Sequence, residues 1–193
     1  MRVELAGLTI ADAPDRWQSL GFTVDAGDRI VLGGVALALG VAGHGITGWT
    51  LRHLPGDGAI DGLVTAATAS PPTEPGAVHP NGALGVDHVV ITTPDFDRTA
   101  AALAQRGLAL RRTRQAGDRR QGFRRLGPAI MELVEAPDAP AVEFWGLTIV
   151  VADPGSLGPH VGEARTAVQP GRQIATVRAS AGLSTRLAFM DPE

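Results

Sequence analysis

The chain contains no cysteine, no lysine and no tyrosine. Without cysteine there is no disulfide, no thiolate nucleophile and no zinc–cysteine site. Without lysine, Schiff-base chemistry and a P-loop lysine are excluded, and all 17 basic residues are arginine. Acid–base work therefore falls to His, Asp or Glu, or to a metal-bound water. No run of eighteen apolar residues occurs, so no transmembrane helix is expected. A net charge of −3 argues against general nucleic-acid or membrane binding. No glycine-rich phosphate loop, G-x-S-x-G elbow or H-E-x-x-H motif is present. The opening residues, MRVELAGLTIADAPDRW, turn acidic too early for a signal peptide, so a cytoplasmic location is expected. The alanine- and arginine-rich bias fits a GC-rich bacterial genome.

What is present is an ordinary globular composition, 44% hydrophobic over 193 residues, enough for one domain or two small ones. Three segments share a plan. VELAGLTIA reads as a buried strand, with Asp12 as a candidate N-cap for a helix carrying Trp17 and Leu20 and short strands after it. VDHVVITT alternates and is β-branched. A helix starting at Pro94 or Asp95 and ending at Gly107 follows it, then strands at LALRRTRQA, QGFRRLG and AIMELVEA. VEFWGLTIVVAD opens the third segment, followed by a proline-interrupted helix of about two turns at PGSLGPHVGE and two strands. Between the first two lies a Pro-, Gly- and Ala-rich stretch that reads as a linker with one short strand at IDGLV. The boundaries expected are a βαβββ-like module at 1–54, a linker at 55–84, a βαβββ module at 85–137 and a βαβββ-like module at 141–193. A unit of this size cannot bury its sheet face alone, so modules must pair.

The residues Val86-Asp87-His88-Val89-Val90 and Ile130-Met131-Glu132-Leu133, set in this repeat, resemble the vicinal oxygen chelate superfamily of glyoxalases, bleomycin-resistance proteins and extradiol dioxygenases. The tail AVQPGRQIATVRASAGLSTRLAFMDP looks like the end of uncharacterised actinobacterial members. The resemblance implies an α+β fold in which paired modules form a cupped, barrel-like mixed sheet around a small ligand. It also implies metal ligands on the first and last strands of each module, which makes His88 a first-strand ligand and Glu132 a last-strand ligand. The matching first-strand positions elsewhere are Gly7 and Gly146, and the last-strand positions fall near Ala38 and near Arg186 or Leu187. None of these can coordinate a metal.

Two ligands are too few for a tight divalent site. His79, Glu163 or a partner chain would have to complete it; otherwise His88 and Glu132 bond to each other or line a polar pocket, with His88 available as a base. In the arginine run, Arg112 and Arg114 share a face by period two and suit a carboxylate or phosphate ligand, or else form a solvated sheet edge. Arg172, in the QPGRQ turn, either reaches the ligand or simply connects strands. The tryptophans stack on a ligand or belong to the core. The expectation is a small-molecule-binding protein with ligand contacts from His88, Glu132, Arg112, Arg114 and Arg172. No cofactor is secure. The alternative is a lyase, isomerase or dioxygenase that holds a divalent metal on His88 and Glu132. A homodimer through sheet edges stays open.

Overall fold

The computed structural model describes residues 2–192. Its centre is an eight-stranded sheet built from two copies of one strand order. The first copy contributes β6 (Ala83–Thr93), β7 (Arg112–Ala116), β8 (Arg119–Leu126) and β9 (Ala129–Glu135), with helix α2 (Phe96–Gln105) after β6. Asp95 caps α2 by accepting the Arg98 amide at 3.0 Å, Phe96, Thr99 and Leu103 form its buried face, and Gly107 ends it at φ 77°. The second copy contributes β10 (Glu143–Val151), β11 (Arg165–Thr166), β12 (Gln173–Thr176) and β13 (Arg186–Met190). The sheet runs β11-β12-β13-β10-β6-β9-β8-β7, so each first strand pairs parallel with its own last strand, and the copies meet at β6 and β10. The α+β class and the paired-module sheet are as the sequence indicates.

The segment between β10 and β11 forms turns and not the short helix expected of it. Pro154 and Pro159 remove amide donors there, and Gly155 and Gly158 favour open chain. Its place over β13 is taken in part by the N-terminal segment, where Phe22 stacks on Phe189 at 5.9 Å.

That N-terminal segment carries β1 (Glu4–Ile10), α1 (Pro14–Ser19), β2 (Arg29–Leu32), β3 (Val35–Ala38), β4 (Ile46–Arg52) and β5 (Thr65–Thr68), in a five-stranded sheet ordered β2-β3-β1-β4-β5. β5 lies within the stretch read as linker; Ile60 and Leu63 of IDGLV make only a single bridge, and the strand begins at Thr65. The N-cap of α1 is Ala13. Asp12 instead accepts from the Ser184 amide (2.5 Å), the Ser184 hydroxyl (2.6 Å) and the Thr185 amide (3.1 Å), which ties this segment to the β12–β13 connection. One continuous apolar core joins the two sheets, with Trp49 edge-on to Phe144 at 5.3 Å.

Strand registers show how far the duplication extends. Where β1 meets β4 and β6 meets β10, each strand carries an extra residue at a matching place, Ala6, Thr47, Asp87 and Trp145, and β6 has a further one at Leu84. Each of the four matching bulges is followed by the same structural position, occupied by Gly7, Gly48, His88 and Gly146. β4 and β5 are thus the first and last strands of an abbreviated module, and the N-terminal sheet is a reduced version of the central one. Close approach requires the glycine at Gly7 and Gly146 and leaves little room at Gly48. A Cβ would lie 2.9 Å from the Ala36 carbonyl oxygen at Gly7, 3.2 Å from that of Val64 at Gly48 and 2.8 Å from that of Arg186 at Gly146. The last strands align in the same way. His88 pairs with Ile130, Gly7 with Ala36 and Gly146 with Arg186, so Glu132 corresponds to Ala38 and Ala188. The third-module counterpart is therefore Ala188, not Arg186 or Leu187, because the side-chain period of two puts Leu187 on the core face.

Candidate functional site

Alternation along the strands divides the central sheet. Val89, Ile91, Met131, Leu133, Leu147, Ile149, Leu187 and Phe189 are buried in the shared core. The opposite face curves around a cavity of about 680 Å³, lined by His88, Val90 and Thr92 from β6, Glu132 and Val134 from β9, and Trp145 and Thr148 from β10. Parallel pairing of β6 with β9 puts Glu132 beside Val90, one step along from His88 on the same face. The antiparallel pairing with β10 puts Thr148 opposite His88.

The bulge at Asp87 determines how His88 is held. In a regular strand Asp87 would face away from its neighbour; the extra residue turns its side chain alongside the ring. Its carboxylate accepts from Nδ1 of His88 at 2.7 Å and from Arg172 Nη2 at 2.6 Å. Arg172, 6% exposed, also donates to the Asp191 carbonyl. Since a carboxylate can only accept, the proton of the neutral ring sits on Nδ1, and Nε2 is left facing the cavity as acceptor from the Thr148 hydroxyl at 3.1 Å. Burial pushes Asp87 up, but hydrogen bonds from His88 and Arg172 outweigh it and hold the carboxyl below its ordinary value.

Glu132 is in the opposite situation. Burial pushes its carboxyl above the ordinary value, and the charges of His88 and Arg114 only partly offset this. Its Oε2 lies 3.8 Å from His88 Nε2, beyond hydrogen-bonding distance. An acid whose folded pKa is raised supports the fold at low pH and loses that support as pH rises, so Glu132 works against stability at neutral pH. Such a cost is typical of residues held for binding or chemistry. Thr92, also on this face, has a buried hydroxyl with no partner among the described residues.

The arginines of the sequence reading are placed differently. Arg112 pairs with Phe123, which pairs with Glu132, so Arg112 and Arg114 do share the concave face. They sit on the edge strand β7, however, and neither lines the cavity. Arg114 lies over the Phe123 ring at 5.1 Å and donates to Gln121 Oε1 at 2.7 Å. Arg172 is buried behind His88 and pairs with Asp87. His79 is employed elsewhere, against the Thr23 amide (3.1 Å) and the Val31 carbonyl (3.2 Å), and Glu163 is exposed outside the cavity. Arg119, Arg165 and Arg186 line the cavity instead, with Trp145, whose ring Arg186 covers at 4.9 Å. The Asp-His dipeptide is the only local sign of the His88 support. The arginines are brought together by pairing between distant strands.

Two copies of one strand order are thus joined at their first strands into a cupped sheet. Among solved structures the chain resembles methylmalonyl-CoA epimerase from Mycobacterium tuberculosis, at 15% identity over 58% of this chain and 91% of that one, TM-score 0.49. It also resembles Streptomyces coelicolor methylmalonyl-CoA epimerase in complex with 2-nitronate-propionyl-CoA (14% identity, 55% and 92% covered, TM-score 0.41) and a hypothetical protein from Bacillus halodurans (15% identity, 56% and 94% covered, TM-score 0.43). No family model and no curated protein matches the sequence.

The metal implied by the resemblance of His88 and Glu132 to first- and last-strand ligands does not fit the residues present. His88 is oriented as a ligand would be, with its second nitrogen bonded to a carboxylate. Yet a divalent site needs three or more protein donors, and the two symmetry-related positions carry Gly146 and Ala188. Among the described residues no group of three His, Asp or Glu side chains is placed to hold an ion. No described helix is long and apolar enough to cross a membrane.

Proposed function

We propose that the cup binds a small molecule directly, without a metal, through His88, Glu132 and Thr148. The observation that carries this reading is the convergence of His88 and Glu132 in one cavity whose other two ligand positions are Gly146 and Ala188. The pair offers complementary chemistry. Nε2 of His88 accepts a proton or hydrogen bond, and Glu132, biased by burial towards its neutral form, donates one. Fold alone does not assign a reaction. The geometry supports sequestration, or proton exchange at a bound ligand, equally well.

Dialysis of chelator-treated protein against Mn, Co, Ni or Zn, followed by elemental analysis, tests the metal-free reading. Sub-stoichiometric metal, unchanged in His88→Ala, is the expected result. One equivalent that vanishes in His88→Ala would replace this reading with a metal-dependent lyase, isomerase or dioxygenase that holds the ion on His88 and Glu132.

A further inference from the structure

We infer that the ligand of this cup is an anion with an apolar or aromatic body, its negative group held by Arg119, Arg165 and Arg186 and its body lying against Trp145. The inference rests on the cup being a small-molecule site and names the class of molecule. Three observations carry it.

The first is the charge of the lining. Among the described residues its arginines are these three, and Glu132 is its one acid. Arg119 comes from β8 of one module, and Arg165 and Arg186 from β11 and β13 of the other, so the strand order brings them to one hollow from opposite wings of the sheet. Among the described residues none of the three is ion-paired, whereas Arg29, Arg52, Arg98, Arg120 and Arg172 each face a carboxylate. Three guanidinium groups without a carboxylate partner around one cavity give it a positive field that favours an anion.

The second is the balance of donors. Oε1 of Gln121 is taken by Arg114, which leaves the Gln121 amide N–H groups for the cavity. Thr92 contributes a buried hydroxyl without a partner. With the arginines, the lining is rich in donors and poor in acceptors. It therefore suits an acceptor-rich group such as a carboxylate, sulfonate or phosphate.

The third is Trp145. It is 43% exposed although large and apolar, because the bulge on β10 turns it out of the core and into the cavity lining. With Val90, Val134 and Ile174 it supplies an apolar wall beside the charged rim.

The test uses two fluorescent probes of similar shape, 8-anilinonaphthalene-1-sulfonate and uncharged N-phenyl-1-naphthylamine, titrated into metal-free full-length protein. The sulfonate should bind at one equivalent, weaken as salt is raised, and be lost in Ala188→Trp, which fills the cup. The triple variant Arg119→Ala/Arg165→Ala/Arg186→Ala should weaken the sulfonate about tenfold or more and leave the neutral probe unchanged. These arginines are exposed, and an unchanged melting curve confirms that the variant is folded. If both probes bind alike, are lost in Ala188→Trp and ignore the triple variant, the anion inference is overturned while the cup remains a binding site. If neither probe responds to Ala188→Trp, the binding reading itself fails.

Discussion

Arg172→Met should cost about 3–5 kcal/mol of folding stability, an effect out of proportion to a residue in a turn. Arg172 is buried and bridges the Asp87 carboxylate and the Asp191 carbonyl. Its removal leaves Asp87 buried, charged and dependent on His88 alone. Asp87→Asn in the same chain should recover part of the loss, because the stranded charge goes with it. The pH dependence has a definite sign. The Asp87 carboxyl is lowered in the folded protein, so its contribution is complete above the ordinary carboxylate pKa and is lost as pH falls through the lower folded value. In Arg172→Met that loss should begin at higher pH. Urea midpoints measured from neutral pH down to about pH 3 would show both effects. A loss below about 1 kcal/mol with an unaltered acid limb would mean that the Arg172–Asp87 pair is not buried as described.

Asp12→Ala should cost about 2–4 kcal/mol, by a different route. The carboxylate receives three donors from Ser184 and Thr185, and it is 6% exposed. Alanine leaves two backbone amides and a hydroxyl without their acceptor, next to the β13 strand that carries Ala188. Because one apolar core runs through both sheets, the wild type should unfold in a single transition, and Asp12→Ala should lower its midpoint while keeping it single. Two separated transitions in the wild type would show that the sheets fold independently. An unchanged midpoint would show that the Asp12 clamp is unimportant.

The sequence was most legible in the module from β6 to β9. There Val86, Val89, Val90 and Ile91 make a β-branched strand, Asp95 caps α2, and Gly107 stops it. Each signal is local, and all agree. Convergence of His88 and Glu132 on one face was legible too, since it needs only period two and a parallel first-to-last pairing. What could not be read depends on partners remote in sequence. Asp12 looks like a helix cap because Asp before a helix usually is one, yet Ser184 and Thr185 claim it. Arg112 and Arg114 look like ligand residues because they are adjacent to the module's other signals, but β7 is the outermost strand. Arg119, Arg165 and Arg186 come together only through an eight-strand order. The bulges at Asp87 and Trp145 decide which side chains enter the cup, and neither position carries a glycine or other local bulge signal.

The central claim is that His88 and Glu132 share one partly desolvated hollow, and the carboxyl carbon of Glu132 reports on it directly. A pH titration of that carbon by NMR, in wild type and in His88→Ala, is expected to give a midpoint above 4.5 in the wild type. The midpoint should move higher still in His88→Ala, because the imidazole charge that favours the carboxylate is gone. A midpoint at or below the ordinary glutamate value, unmoved by the loss of His88, would contradict the account.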